Sequence, residues 1–115
     1  MTPQNWLQLG AVVIVGFFMF RGFLGKTSSD EAHALVAKGA RLVDVRSPGE
    51  LAGGHIPGAV NIPVDQIDRR AGEIGPKEAG VVVYCASGMR SASAAGTLRK
   101  LGFAPVADLG AMSRW

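Results

Sequence analysis

A chain of 115 residues with a formal charge of +3 and one cysteine has room for one modest domain plus an appendage, and it excludes an intramolecular disulfide. Its 12 lysines and arginines are scattered, with no basic run and no aromatic interleaving, so nothing supports nucleic-acid binding; the charge is a welcome for small anions and no more. Apolar residues make up 48 % of the chain but are spread unevenly, and their distribution divides it.

Met1 to Phe20 carries no charged side chain, and Leu9 to Phe20 is apolar throughout apart from two glycines. Taken from Trp6 to Leu24 the stretch would make a helix of about 28 Å, close to the ~30 Å of a bilayer's hydrocarbon layer. Trp6 suits one interface, and Arg21 can snorkel at the other. A cleaved signal peptide fits less well, because no basic segment precedes the apolar run and no small-residue cleavage site follows it. The expectation is a single-pass membrane anchor over residues 1–25, a short polar linker over 26–29, and a folded domain over 30–115. Arg21, Lys26, Lys38, Arg41 and Arg46 all follow the span, so the positive-inside tendency puts that domain on the cytoplasmic side.

Ser29 or Asp30 can cap a helix through about Lys38, with Ala32, Leu35 and Val36 on its apolar face and Gly39 as its stop. His33 lies off that face and is expected to be solvated. Arg41 to Val45 predicts a buried strand, and Asp44 with Arg46 can pair where the chain leaves the core. Ser47-Pro48-Gly49-Glu50 has the form of a capping box with Pro at the first helical position. Gly53 to Ala59 then turns the chain back to a short strand, Val60 to Ile62. His55 in that turn is expected to fix the loop and not to act as a general base. Pro63 to about Gly72 predicts a short helix with Ile67 inward, and Glu73 to Gly80 a connection. With two histidines and one cysteine, no metal-ligand cluster appears at a usual spacing, and no cofactor is implied.

Val81 to Tyr84 predicts a central apolar strand that delivers Cys85 into a loop of small residues. A helix from about Ser91 to Leu101 follows, with Ala92, Ala95 and Leu98 sharing a face and Gly102 ending it; Pro105 to Leu109 gives a last strand. A thiol at a helix N-terminus meets unpaired N–H donors and roughly half a positive charge, and Arg90 offers a full charge nearby. Lowering a thiol pKa from about 8.5 to about 6.5 is worth roughly 2.7 kcal/mol and makes the thiolate dominant at neutral pH. Alternating helices and apolar strands imply an α/β layered fold with a mostly parallel central sheet.

From about Ser28 to Trp115 these motifs resemble the single-domain rhodanese (sulfurtransferase) family. Leu42-Val43-Asp44-Val45-Arg46-Ser47 is similar to its strand-and-DVR segment. Gly54-His55-Ile56-Pro57-Gly58-Ala59 with Asn61-Ile62-Pro63 is similar to its H-I-P-G-A…N-I-P signature, and Cys85 to Arg90, CASGMR, sits where its active loop sits. Leu109-Gly110 with Trp115 looks like its closing pattern. Leu51 departs from the aromatic residue usual at that place. The resemblance implies a rhodanese-like three-layer domain in which Cys85 takes sulfur from a small anionic donor such as thiosulfate, holds it as a persulfide, and passes it to cyanide, a thiol or a protein acceptor. It implies that Ala86, Ser87, Gly88, Met89, Arg90 and Ser91 cradle the sulfur and the donor, supported by Asp44, Arg46, Glu50 and His55. Two alternatives stand beside this. One is a persulfide carrier or regulatory module without turnover. The other is a phosphatase or arsenate reductase, whose related loop is one residue longer than the stretch Ala86 to Met89 between Cys85 and Arg90 here.

Overall fold

The computed structural model describes residues 25–115. The anchor expected over residues 1–25 therefore lies almost wholly outside the described residues, and among those described no helix is long and apolar enough to cross a membrane. The order of elements is α1 (Ser29–Ala37), β1 (Arg41–Asp44), α2 (Pro48–Ala52), β2 (Val60–Asn61), α3 (Ile67–Arg70), β3 (Val81–Cys85), α4 (Met89–Lys100) and β4 (Val106–Ala111), with single 3₁₀ turns flanking α3, preceding β3 and closing the chain.

The strands form one four-stranded sheet in the order β2-β1-β3-β4, and every neighbouring pair is parallel. Strand β3 explains why its sequence is unbroken apolar where a half-exposed strand would alternate. Val81, Val83 and Cys85 enter one core, with Ile67, Ala94, Ala95 and Leu98. Val82 and Tyr84 enter the other, with Ala32, Leu42 and Leu109. A parallel strand covered on both faces has no solvent side on which to place polar residues.

Where the sequence carries strong contrast, the elements fall where expected. Ser28 caps α1 through its side chain, one residue earlier than read, and Ser47 and Glu50 form the full reciprocal capping box at α2. Two expectations are corrected, the start and face of α4 and the linker. Helix α4 starts at Met89, not Ser91, and it buries Ser91, Ala94, Ala95 and Leu98 while Ala92 is exposed. That set follows the i, i+3, i+4, i+7 rhythm of one helix face, and the small Ala94 and Ala95 let the helix lie close to the sheet. His33 is exposed, as expected, and its ring also stacks on Trp115 at 3.6 Å between centroids while its Nε2–H donates to Trp115 O across 3.0 Å. Residues 26–29, expected to be a linker, pack on the domain: Thr27 N–H donates to Asp108 O across 2.7 Å and the Ser29 hydroxyl to Trp115 O across 2.6 Å.

Strand β4 contains a bulge. Val83 pairs with Asp108, but Tyr84 pairs with Gly110, so Leu109 is skipped. Gly110 has φ +87° and its N–H donates to Asp108 Oδ1 across 3.0 Å. Bulges sharpen local twist and re-aim side chains; this one lies beside the C-terminal end of β3, where Cys85 emerges.

Candidate functional site

Chemistry gathers at the C-terminal ends of β1 and β3, the edge at which parallel α/β sheets usually bind ligands. From β3 the chain passes through Ala86 and Ser87, both exposed, to Gly88, which is buried with φ +105° and stands at the N-cap of α4. A residue with a Cβ would be strained there. No side chain caps this helix through an oxygen. Instead Cys85 Sγ accepts the Gly88 N–H across 2.9 Å and the Ser91 N–H across 3.4 Å. Ser91 is the third helical residue, so the sulfur occupies the place of a capping oxygen and takes its share of the helix dipole.

Burial pushes the Cys85 thiol up, but the Ser91 hydroxyl and the N–H groups of Ser91, Gly88 and Ser87 outweigh it, and the net displacement is below the ordinary thiol value. The thiolate expected from the small-residue loop is therefore favoured. Its access is another matter: Cys85 has 0 % of its surface exposed, so the sulfur is closed to solvent in this conformation. Met89, at 82 % exposed, leaves its side chain in solvent beside this closed thiol.

Arg90 does not point a free guanidinium at the sulfur. It forms a two-pronged ion pair with Glu50 of α2, Nη1 to Oε1 at 2.6 Å and Nη2 to Oε2 at 2.9 Å. Glu50 Oε1 also accepts the Ser47 N–H and hydroxyl, across 3.2 and 3.1 Å, so one carboxylate closes a helix cap and holds the loop's arginine. The Arg90 guanidinium, reinforced by the Ser47 N–H, drops the Glu50 carboxyl to about 2. The ion pair with Glu50 chiefly, and the thiolate through space, raise Arg90 above its ordinary value.

Asp44 and Arg46 form the second ion pair, and it is buried. Arg46 Nη2 reaches Asp44 Oδ2 at 2.7 Å, Nε lies 3.1 Å from both carboxylate oxygens, and Nη2 also donates to Gly54 O across 2.7 Å. The pair thus joins the end of β1 to the glycine turn. Asn61 continues this frame by donating to Asp44 O and Arg46 O across 3.0 and 2.9 Å. The Arg46 guanidinium carbon sits 5.8 Å from the Tyr84 ring centroid, and the Tyr84 hydroxyl accepts the Ile56 N–H across 3.1 Å. His55 is exposed, and its hydrogen bond is from Nδ1–H to Leu51 O across 3.2 Å, in keeping with a loop-fixing residue. A carbonyl can only accept, so the proton there sits on Nδ1.

The structure thus brings Cys85, Gly88 and Ser91 together, sets Arg90 with Glu50 beside them, and keeps Asp44 and Arg46 as framework. Two contributors escaped the sequence reading. Tyr84 looks like core until its hydroxyl is seen holding Ile56, and Lys26, from the supposed linker, reaches Gly88 O across 2.7 Å. Among the described residues, no group of three or more His, Cys, Asp or Glu side chains gathers as a metal site would.

A buried parallel sheet that delivers one cysteine into an amide-lined loop at a helix start defines a class, and comparison with known proteins names it. Residues 28–115 match the rhodanese-like domain, and the chain belongs to that family. It is similar to a sulfurtransferase of Allochromatium vinosum, with 44 % identity over 75 residues, 64 % of this chain and 69 % of that protein. It is also similar to the human thiosulfate:glutathione sulfurtransferase, with 35 % identity over 104 residues, 76 % of this chain and 90 % of that one. Among solved structures, human single-domain sulfurtransferase TSTD1 superposes with a TM-score of 0.65 at 32 % identity, covering 78 % of this chain and 90 % of that one.

Proposed function

We propose that this chain moves sulfane sulfur from thiosulfate or a related anionic donor to a thiophilic acceptor, cyanide or a thiol, through a persulfide on Cys85. In the first half-reaction the thiolate attacks the outer sulfur. The new Sγ–S bond forms as the S–S bond of thiosulfate breaks, and sulfite leaves with the electron pair. In the second, the acceptor attacks the outer sulfur of the persulfide and Cys85 leaves as a thiolate. The convergence of the Gly88 and Ser91 N–H groups on Cys85 Sγ carries this reading. Such amides favour the thiolate both as nucleophile and as leaving group, and they can follow the charge when it moves to the outer sulfur. Ala86, Ser87 and Met89 complete the loop around the donor, and Arg90 faces the donor's anionic end once Glu50 releases it.

Incubating the purified full-length chain with thiosulfate should add one sulfur, about 32 Da, to its intact mass; cyanide should remove it, and Cys85→Ser should take up none. A wild-type mass that stays unmodified contradicts sulfur transfer. A second reading, a persulfide carrier or regulatory module that seldom turns over, is favoured by the closed thiol and by the engagement of Arg90 with Glu50. One stoichiometric sulfur uptake without multiple turnovers would select it. We place the apolar segment Trp6 to Leu24 in the membrane as a single anchor, with the domain on the cytoplasmic side. Extraction of the chain from membranes by alkaline wash would argue against the anchor, and protection of a thiol engineered at Thr2 from external labelling would reverse the orientation.

A further inference from the structure

Lys26 follows closely on Leu24, the end of the apolar stretch, and its side chain is built into the Cys85 loop. Its ammonium donates to Gly88 O across 2.7 Å and to Asp108 Oδ2 across 2.6 Å. The stem crosses two glycines: a Cβ at Gly88 would meet Lys26 Cε at 3.3 Å, and one at Gly110 would meet Lys26 Cδ at 3.2 Å. The next residue is tied down as well. Thr27 N–H donates to Asp108 O across 2.7 Å, and Thr27 O accepts from Arg114 Nη2 across 3.1 Å. Lys26 and Thr27 are thus part of the domain's surface and give no slack to the chain before them. Successive Cα atoms lie about 3.8 Å apart, so the Cα of Leu24 is at most about 7.6 Å from that of Lys26. The chain therefore leaves the domain beside the Cys85 loop and not at the opposite edge of the sheet.

The loop carries a second, independent mark. Met89, next to Gly88, is 82 % exposed, and among the described residues it is the large apolar side chain that the fold leaves in solvent. Nothing in the domain's own packing uses it there, and a flexible thioether suits an irregular, partly apolar surface. The charges around it suit a headgroup layer. The loop from Ala86 to Arg90 contains no acid, and the carboxylates that flank it, Asp44, Glu50 and Asp108, are each paired with a cation, Arg46, Arg90 and Lys26. Arg114, exposed on the side where the chain leaves, adds a positive charge of the kind that anionic lipids attract. We propose that the Cys85 loop docks on the lipid surface with Met89 seated among the headgroups, so that the thiol works at the membrane. The docking rests on the single-anchor reading of Trp6 to Leu24 and not on the chemistry at Cys85.

The test is fluorescence quenching of the full-length chain in vesicles of phosphatidylcholine and phosphatidylglycerol that carry a nitroxide on a fraction of their headgroups. Cys85 is the only cysteine, so in a Cys85→Ser background one introduced thiol takes one environment-sensitive dye. Met89→Cys reports on the loop. Glu78→Cys, exposed ahead of β3 and about one strand length (~16 Å) from Cys85, reports on the opposite edge. The Met89 label should be quenched about threefold more strongly than the Glu78 label, and its emission should shift to the blue. Equal quenching, or stronger quenching at Glu78, in a chain that floats with the vesicles overturns the docking and leaves the anchor standing. A chain that stays behind when the vesicles float removes the anchor, and the docking falls with it. Should a label at Met89 disturb the start of α4, Ser87→Cys, exposed on the same loop, should show the same contrast with Glu78→Cys, and no contrast there overturns the proposal too.

Discussion

Two ion pairs flank the Cys85 loop, and they differ in almost everything except chemistry. Asp44 and Arg46 have side chains 0 % and 8 % exposed, while Glu50 and Arg90 are 36 % and 37 % exposed. The buried pair is short-range in sequence and anchored on both sides, by Gly54 O and by Asn61. The exposed pair joins two elements through an exchangeable contact that water or an anion can replace. Burial makes a broken ion pair costly, and exposure makes it cheap. The first pair therefore belongs to the scaffold, and the second is where a donor can bargain for a cation.

The comparison breaks most visibly at Asp44. Asp44→Ala leaves Arg46 buried without its counter-charge and should destabilise the domain by about 3–5 kcal/mol, read from urea unfolding. A loss no larger than that of Arg90→Ala would erase the distinction. Arg90→Ala should do the reverse, leaving the melting temperature nearly unchanged while lowering kcat/KM for thiosulfate about tenfold, mostly through KM. Equal kinetics would remove Arg90 from donor binding. Glu50→Gln should free Arg90 and lower the KM for thiosulfate by about twofold to threefold; a raised KM would show that Glu50 positions Arg90 and does not compete for it.

A smaller effect appears with pH. Glu50 is held at about 2 against an ordinary 4.5, so its pairing contributes stability above about pH 4.5 and loses it as pH falls towards 2. Melting temperatures across that window should fall less in Glu50→Gln than in the wild type, and parallel curves would mean that the pair contributes nothing measurable.

The same contrast explains what could be read from the sequence. The strand read over Val81 to Tyr84, which the structure extends by one residue to Cys85, the Ser47–Glu50 cap and the Asp44–Arg46 pair are local: each is written within a few residues, in side chains whose types leave little choice. Helix α4 was harder, because a run of alanines and serines has little hydrophobic contrast, and the buried face settled on Ala94 and Ala95, leaving Ala92 in solvent. The Arg90–Glu50 pair spans 40 positions and Lys26–Gly88 spans 62, and no local pattern announces either. The closure of Cys85 was equally illegible. A loop of small residues says nothing locally about exposure, and here that smallness lets the chain fold tightly round the sulfur.

That closure has its own consequence. A neutral alkylating agent should modify Cys85 more slowly in the folded chain than in denaturant at a pH where both are ionised, since the folded thiol has 0 % exposure. Equal rates would show that the loop opens freely.

The most direct measurement compares the thiolate titration of Cys85 in the folded chain with that in the same chain unfolded in denaturant. The amides of Gly88 and Ser91 should place the folded midpoint clearly below the unfolded one. Coincident curves, or a folded midpoint above the unfolded one, would mean that burial wins over those hydrogen bonds, and the account of Cys85 as a persulfide-forming nucleophile would be wrong.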